Sequence, residues 1–251
     1  MSHKIYFQSS ENMNVVKNNN IQTIVTSPPY WNLKNYNHNS QIGYNELYDQ
    51  YLDRINKVWK ECYRVLKDEG SIFININYRR FNNSIFRIHD DFIKQLIKIG
   101  FIFQEKMIWH KPSGIPTALP RLADRYEYIL LFSKSKRFFI NSSFNFNDYK
   151  NNLKLDKYTS WRIVKKAGSI GKQFEHPAIF PIELAQRAIQ LTSKENDFVL
   201  DPFLGSGTTT ISAILSKRKS ICFELNKKYH DLIRFRLLKD TKTKIEVEFL
   251  D

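Results

Sequence analysis

The fold of this chain is decided by the stretch Asp201-Pro202-Phe203-Leu204-Gly205-Ser206-Gly207-Thr208-Thr209. It follows a short apolar run, Phe198 to Leu200, and precedes a segment with helical character, so it predicts a turn between a buried strand and a helix. Gly205 and Gly207 permit a tight turn and a close approach of a ligand to the backbone. Turns of this kind lie at the carboxyl ends of parallel strands, where open α/β sheets bind ligands.

The residues of this turn indicate what it binds. No lysine follows Gly207, and the spacing is not G-x-G-x-x-G, so neither a phosphate loop nor a dinucleotide site is favoured. Asp201 at the strand tip suits a cationic amine. Glu224 ends the next predicted strand, where α/β folds place a carboxylate for ribose hydroxyls. An amine, a ribose and a close backbone contact together describe S-adenosylmethionine; the alternative is a structural turn with a helix-capping acid.

A second run, Thr26-Ser27-Pro28-Pro29-Tyr30-Trp31, follows the predicted strand Ile21 to Val25. Two consecutive prolines fix φ and remove two backbone donors, which leaves a rigid loop of carbonyl acceptors. Ser27 adds a hydroxyl and Tyr30 a flat ring, so the loop suits the exocyclic amine of a stacked base. For Trp31 we expect a place in the core.

Composition favours a polyanionic partner. The 251 residues include 39 Lys and Arg against 25 Asp and Glu, a formal net charge of +14. Nucleic acid would supply the matching phosphates, and the alternative is a basic surface without a partner. Cys62 and Cys222 are not paired in a C-x-x-C motif, so we expect neither a disulfide nor a metal site. No apolar run reaches the length of a membrane span and no signal-peptide core follows Met1, which predicts a cytoplasmic protein.

Strands and helices alternate along the chain, which predicts an α/β fold with a mostly parallel sheet covered by helices on both faces. In the first predicted helix, Tyr44 to Leu66, we expect a buried stripe that begins at Leu47. In the second, Asp90 to Ile99, we expect Ile97 to face inward. The predicted helices and strands are helices Tyr44 to Leu66, Asp90 to Ile99, Pro181 to Leu191, Thr208 to Lys217 and one from Lys227, and strands Ile21 to Val25, Ser71 to Ile76, Phe101 to Trp109, Tyr126 to Phe132, Phe198 to Leu200 and Ser220 to Phe223.

Residues 134–175 have a different character. Lysine, arginine and aromatic residues are interleaved there without a clear period, and acids are few. We interpret this segment as a basic insert. The prediction divides the chain into a first half, residues 1–133, the insert, residues 134–175, and a last half, residues 176–251.

These motifs resemble the DNA amino-methyltransferases, specifically the N4-cytosine type with the permuted beta order of motifs. Ser27 to Tyr30 matches the catalytic motif, in which cytosine enzymes typically carry Ser and adenine enzymes Asp or Asn. Asp201 to Thr209 matches the cofactor motif, and Glu224 falls at the ribose position. His176 to Pro181 and the block from Trp109 to Lys134 match further motifs of that family. One departure is that Ser9 stands where many members have the Asp that contacts the cofactor adenine.

The resemblance implies a Rossmann-like, S-adenosyl-L-methionine-dependent methyltransferase. Residues 1–133 would be its catalytic half, 134–175 its target-recognition insert and 176–251 its cofactor-binding half. It would flip cytosine out of double-stranded DNA and methylate N4 by direct in-line transfer, as part of a restriction-modification system with a cognate endonuclease, as a monomer or a homodimer. The implied site residues are catalytic Ser27, Pro28, Pro29 and Tyr30; cofactor-binding Ser9, His176, Pro181, Asp201, Phe203, Gly205, Ser206, Gly207, Thr208 and Glu224; and DNA-binding Lys111, Arg125, Lys154, Lys157, Trp161, Arg162, Lys165 and Lys166.

Four alternatives remain open or are disfavoured. An adenine-N6 enzyme on the same scaffold is the nearest, and an RNA or protein methyltransferase and a non-catalytic DNA-binding module follow. Methylation at cytosine C5 needs a cysteine nucleophile, usually after a proline, whereas Cys62 follows Glu61 and Cys222 follows Ile221. Methyl transfer to a nucleobase amine requires that Ser27 and Gly205 share one cavity.

Overall fold

The computed structural model describes residues 2–112, 122–141, 147–148, 153–154, 159–164, 179–242 and 246–251. Within these ranges the strands are β1 His3–Tyr6, β2 Ile21–Thr26, β3 Leu66–Ile76, β4 Arg79–Phe81, β5 Ser84–Phe86, β6 Ile102–His110, β7 Tyr126–Ser133, β8 Asn147–Asp148, β9 Leu153–Lys154, β10 Ser160–Arg162, β11 Phe198–Asp201, β12 Lys219–Phe223 and β13 Glu248–Leu250. The α-helices are α1 Tyr48–Val65, α2 Ile88–Ile99, α3 Ile182–Thr192, α4 Thr208–Leu215 and α5 His230–Thr241, and a 3₁₀ turn covers Lys227–Tyr229.

Nine of the described strands form one mixed sheet in the order β10-β6-β7-β3-β2-β11-β12-β1-β13. Among these nine, only β7 runs antiparallel to its neighbours. The strand that precedes the Pro-Pro loop, β2, lies directly beside β11, which precedes the glycine turn, although β2 ends at Thr26 and β11 begins only at Phe198. This confirms the predicted α/β class with a mostly parallel sheet.

Helices cover both faces of the sheet. Along β2, Ile24 packs with α1 and α2 on one face, and Val25 packs with α3 on the other. The same alternation in β12 directs Phe223 toward the first face and Cys222 toward α4 and α5. Strands buried on both faces read as continuous apolar runs, which is why these short runs were recognisable in the sequence.

Two predicted core positions are wrong. Leu47 is 70% exposed because α1 begins one residue later and Leu47 stands at its N-cap. Ile97 is 52% exposed because the buried stripe of α2 consists of Ile88, His89, Phe92 and Leu96, and Ile97 lies off it. The remaining members of the predicted α1 stripe, Tyr51 to Val65, are buried.

The predicted insert also needs a correction. Residues 160–162, which the prediction placed inside it, form β10 and pair in parallel with β6 at the edge of the main sheet. A piece of the segment 134–175 is therefore part of the central sheet rather than a separate unit. The strands β1, β4, β5 and β13 were not anticipated at all. Among the described helices, none combines the length and hydrophobicity needed to cross a bilayer.

Candidate active site

One cavity of about 280 Å³ opens at the carboxyl edge of the sheet. Ser27 and Gly205 both line it, so the structure brings the Pro-Pro loop and the glycine turn together. From the two motifs, the lining residues are Ser27, Pro28, Pro29, Tyr30, Pro202, Phe203, Leu204, Gly205, Ser206 and Thr208. The cavity lies where the strand order turns at the β2–β11 boundary, which is the usual ligand site of open α/β sheets.

The order of the strands sorts the lining residues into two halves. On one side, the tips of β11, β12 and β1 contribute the glycine turn, Glu224 and Ser9. On the other side, β2, β3 and β7 contribute the Pro-Pro loop, Asn75 and Glu127. Adjacent strands are about 4.8 Å apart, so the two halves are neighbours along one edge.

The glycine turn is held by Glu224. The Gly205 amide donates a 2.7 Å hydrogen bond to Glu224 Oε2, and the Asn226 amide donates a 2.8 Å bond to Oε1. Gly205 has φ of 56° and Gly207 φ of 90°, conformations that favour glycine. Burial raises the pKa of Glu224 to about 7. A buried carboxylate with lone pairs left over can accept the hydroxyls of a ribose.

Asp201 ends β11, as predicted, but its carboxylate does not line the cavity. Its side chain is fully buried and is not among the residues that line the cavity. It accepts hydrogen bonds from Thr26 Oγ1 at 2.8 Å, from Thr209 Oγ1 at 2.6 Å and from the Phe203 amide at 3.0 Å. Burial raises its pKa to about 6. The carboxylate already accepts three hydrogen bonds within the protein and does not line the cavity, so we do not assign it a contact with a ligand amine. Asp201 instead shapes the site from within the core.

The Pro-Pro loop keeps its acceptors near the cavity. Tyr51 donates a 3.0 Å hydrogen bond to the Pro29 carbonyl and thereby attaches the loop to α1. Within the described part of the chain, no donor reaches the Ser27 hydroxyl or the Pro28 carbonyl. These two oxygens are therefore free to accept hydrogen bonds from a ligand amine.

A polar network surrounds the ring of Tyr30. Its hydroxyl donates a 2.9 Å hydrogen bond to Glu127 Oε2, which also accepts a 2.9 Å bond from Asn75 Nδ2. The Lys111 ammonium lies 2.9 Å from Glu127 Oε1. Burial, reinforced by the Glu127 charge, raises the pKa of Tyr30 well above its usual range. The phenol therefore stays protonated and remains a donor to Glu127.

Trp31 lies in the core, as expected. It is 6% exposed and contacts Tyr48, Phe81 and Phe86, with ring centroids 5.1, 5.0 and 4.5 Å away. Its indole donates a 2.8 Å hydrogen bond to the Glu46 carbonyl. The ring anchors the end of the Pro-Pro loop and leaves Tyr30 as the aromatic side chain of that loop that faces the cavity.

The segment after this loop forms a further wall. It extends from Leu33 to Ile42 and contributes Tyr36, whose carbonyl accepts a 2.8 Å bond from Asn226 Nδ2. Arg54 from α1 holds the same wall through the carbonyls of Ser40 and Gln41. Arg54 also pairs with Glu11, so it ties this wall to the turn that carries Ser9.

The remaining cofactor predictions have different outcomes. Ser9 lines the cavity, with its hydroxyl 3.2 Å from the Glu11 amide. Pro181 caps α3, and Gly207 caps α4 with Ile233 close behind it; the structure does not place either in the cavity wall. Ile179 and Phe180 line the cavity in place of Pro181. His176 lies outside the described residues.

The predicted DNA-binding residues are only partly gathered. Arg125 and Arg162 are exposed near the carboxyl edge, at the ends of β7 and β10. Lys111 pairs with Glu127 inside the site. Lys154 lies in β9, of which the structure describes the backbone, while Lys157, Lys165 and Lys166 lie outside the described residues.

Trp161 is not a surface residue. It is 1% exposed, stacks near Phe73 with centroids 6.4 Å apart, and lies under the guanidinium of Arg187. A side chain enclosed in this way cannot reach DNA, so the prediction that Trp161 contacts DNA is wrong. The sequence was misleading because the surrounding segment is basic, whereas β10 alternates exposed and buried positions.

Sequence reasoning underestimated Asn75 and Glu127. Both are polar residues at the cavity ends of the apolar runs Ile72 to Ile74 and Tyr128 to Phe132, and that interruption was the available signal. Arg236, buried on α5, was also missed; it donates to the Ser206 carbonyl and hydroxyl and to Thr208 Oγ1. No group of three or more potential metal ligands occurs among the residues that the structure describes.

A family model and similar known proteins indicate the same family for this chain. The family model described as DNA methylase matches residues 21–235. The type II methyltransferase M.MjaI of Methanocaldococcus jannaschii is 30% identical over 276 aligned residues, which cover 94% of this chain and 91% of that protein.

Solved structures agree in fold. The Thermus thermophilus protein TTHA0409 in complex with S-adenosyl-L-methionine is 28% identical, covers 99% of this chain and 98% of its own, and superposes with a TM-score of 0.73. The PvuII DNA methyltransferase (cytosine-N4-specific) also gives a TM-score of 0.73, at 21% identity, with 100% and 95% of the two chains covered. At that identity the second likeness concerns the fold alone.

Proposed function

The chain belongs to the DNA methylase family, and we propose that it methylates the exocyclic N4 amine of cytosine in double-stranded DNA. Its cofactor is S-adenosyl-L-methionine. The observation that carries the proposal is the shared cavity, in which free acceptors of the Pro-Pro loop lie beside the glycine turn. Cytosine is preferred to adenine because position 27 is Ser, the residue that cytosine enzymes of this kind typically carry.

The cavity fits this cofactor. Glu224 offers a buried carboxylate for the ribose hydroxyls, Gly205 leaves room for close approach, and Phe203 gives apolar surface beside them. Ser9 lies at the neighbouring tip of β1, where a contact to the adenine would be expected. Asp201 supports the turn from beneath through its three hydrogen bonds. When bound, the cofactor supplies a methyl group activated by a positively charged sulfur.

The residues of the Pro-Pro loop prepare the amine. The lone pair of the cytosine amine is delocalised into the ring, which makes the nitrogen a poor nucleophile. Hydrogen bonds from the amine to Ser27 Oγ and the Pro28 carbonyl would favour the pyramidal form and free the lone pair. Tyr30 would stack on the base after it leaves the duplex, since the target is hidden inside the stack. Well-oriented reactants reach effective molarities of ~10⁵ M or more, so positioning supplies much of the acceleration.

The basic residues would hold the DNA. Arg125 and Arg162 are exposed toward the carboxyl edge and can contact phosphates, and residues 134–175 supply further cations. We also propose that the enzyme is the modification partner of a restriction endonuclease, because relatives such as M.MjaI are type II methyltransferases. DNA from cells that produce the enzyme should then resist the endonuclease encoded with it.

Nucleoside analysis tests the reaction directly. DNA from an expression host without its own methylation is digested and separated by mass spectrometry, with the Ser27→Ala variant as the matched control. We expect N4-methylcytosine from the wild type and much less from the variant. Detection of N6-methyladenine alone would show that the target base is adenine and not cytosine. Cofactor binding without any methylated base would favour the non-catalytic DNA-binding module.

A further inference from the structure

A two-stranded hairpin packs against the Pro-Pro loop, outside the main sheet. It consists of β4 and β5, which pair antiparallel around a turn at Asn82 and Asn83, both with positive φ. The hairpin follows the carboxyl end of β3, and Asn75, four residues before β4, lines the cavity. It is therefore attached to the edge of the sheet at which the cavity opens.

The inner side of the hairpin is fixed to the Pro-Pro loop. Phe81 and Phe86 pack against Trp31, with ring centroids 5.0 and 4.5 Å away. Arg79 donates a 3.0 Å hydrogen bond to the carbonyl of Asn32, two residues beyond Tyr30. A hairpin anchored by aromatic rings and a guanidinium holds its outer side in a defined position relative to the loop.

The outer side is cationic and polar. Residues 79–87 contain three arginines and no acid. Arg80 is exposed, and within the described residues it forms no ion pair; its guanidinium lies over the Tyr78 ring, 5.2 Å from the centroid. Arg87 is exposed and has Asp90 3.5 Å away. The turn between the arginines, 82–85, is exposed throughout and includes Ile85 at 52%.

We infer that this hairpin binds the phosphate backbone of duplex DNA next to the target base, through Arg80 and Arg87. The inference rests on the proposed function, which brings a duplex to the cavity mouth. The hairpin follows β3, and Arg162 ends β10, three strands away in the sheet order, or roughly 15 Å at the usual strand spacing. The two groups of cations would thus contact the duplex at separate points along this edge of the sheet.

Salt dependence of DNA binding tests the phosphate contacts. A nonspecific duplex of ~30 base pairs serves as the probe, because phosphate contacts do not depend on sequence. In the double variant Arg80→Ala/Arg87→Ala we expect about tenfold weaker binding at low salt and a slope of log K against log salt smaller by about 2. Lys98→Ala is the matched control, since Lys98 is exposed at the far end of α2, beside the amino edge of the sheet.

Cross-linking tests the position without relying on affinity. Ser84→Cys places a thiol on the exposed turn, and the two native cysteines are free but buried, so a photoreactive thiol label attaches selectively. We expect the labelled Ser84→Cys protein to cross-link to duplex DNA and labelled Lys98→Cys protein not to do so. An unchanged salt slope in the double variant, or the absence of the Ser84→Cys cross-link, would overturn the inference.

Failure of the hairpin contact and failure of the proposed function give different results. If the wild type methylates DNA and the hairpin variants match it in binding and cross-linking, only the hairpin contact is lost. If the wild type produces no methylated base, the proposed function fails, whatever the hairpin does. Cofactor affinity should stay unchanged in Arg80→Ala/Arg87→Ala, because neither arginine lines the cavity.

Discussion

Thr26 Oγ1 donates a 2.8 Å hydrogen bond to Asp201 Oδ1, although the two residues are 175 positions apart in sequence. Thr26 ends β2, which precedes the Pro-Pro loop, and Asp201 ends β11, which precedes the glycine turn. The same carboxylate also accepts a 2.6 Å hydrogen bond at Oδ2 from Thr209 Oγ1 of α4. One buried side chain therefore links the two halves of the site, in addition to the backbone pairing of β2 with β11.

Replacing Asp201 should first cost stability. Asp201→Ala leaves the Thr26 hydroxyl and the Phe203 amide without their acceptor and leaves Thr209 only the Val25 carbonyl at 3.4 Å, so we expect the free energy of unfolding to fall by about 3 kcal/mol. Urea denaturation measures this, and Thr210→Val serves as a control that removes a buried hydroxyl of α4 not bonded to Asp201. Cofactor affinity should fall as a consequence of the loosened turn. Unchanged stability together with a large loss of affinity would restore the direct ligand contact.

The pH dependence of stability should also reveal Asp201. Burial raises its pKa from 3.8 to about 6, so its contribution is fully present below pH ~4 and is lost as the pH rises through 6. Between pH 5 and pH 8 this group alone should lower the stability of the cofactor-free protein by about 1 kcal/mol. Asp201→Asn can keep the hydrogen bonds without a charge, because Thr209 can accept from the amide and still donate to the Val25 carbonyl. Parallel pH profiles of the wild type and Asp201→Asn would refute this assignment.

Cofactor binding should strengthen with pH through Glu224. Burial raises the pKa of this carboxyl to about 7, so near neutrality the free protein holds a mixture of both forms. Ribose hydroxyls donate hydrogen bonds and so prefer the ionised form. We expect affinity to rise about tenfold from pH 6 to pH 8 and then level off.

Calorimetry with S-adenosyl-L-homocysteine, in buffers of different ionisation enthalpy, measures both the affinity and the protons released. The amino group of the ligand also titrates, so the informative quantity is the difference between the wild type and Glu224→Gln. The variant should lose the part of the pH dependence that is centred near 7. Identical profiles for the two proteins would show that Glu224 does not bind the ribose.

The sequence was sufficient for the fold and for the two motifs because both signals are local. Apolar runs such as Val199 and Leu200 report burial on both sheet faces, and the proline and glycine residues report backbone conformation directly. The shared cavity was predictable from the motifs, since each of them marks the carboxyl end of a parallel strand, whereas the direct pairing of β2 with β11 was not predicted.

What escaped prediction depends on tertiary contacts. The carboxylate of Asp201 could face a ligand or the core, and only the positions of Thr26 and Thr209 decide between them. In the sequence, Trp161 resembles a surface aromatic residue of a basic segment, because the pairing of β10 with β6 that buries it has no local signal. The hairpin β4–β5 did have a local signal, an Asn-Asn turn between short strands, but its contact with Trp31 had none.

Glu127 should act on catalysis by positioning Tyr30. Its carboxylate accepts the Tyr30 hydroxyl and pairs with Lys111, so Glu127→Gln weakens a charge-assisted network beside the target base. We expect kcat to fall about tenfold, with cofactor affinity unchanged because Glu127 lies on the β7 side of the cavity.

A double-mutant cycle with Tyr30→Phe separates positioning from a general structural role. If the two residues act through the single 2.9 Å hydrogen bond, the double variant should be no slower than the slower of the two single variants. Steady-state kinetics on duplex DNA, with kcat and KM resolved, provide the measurement. Losses in kcat that simply multiply would mean that Glu127 and Tyr30 act independently, since a shared hydrogen bond can be broken only once.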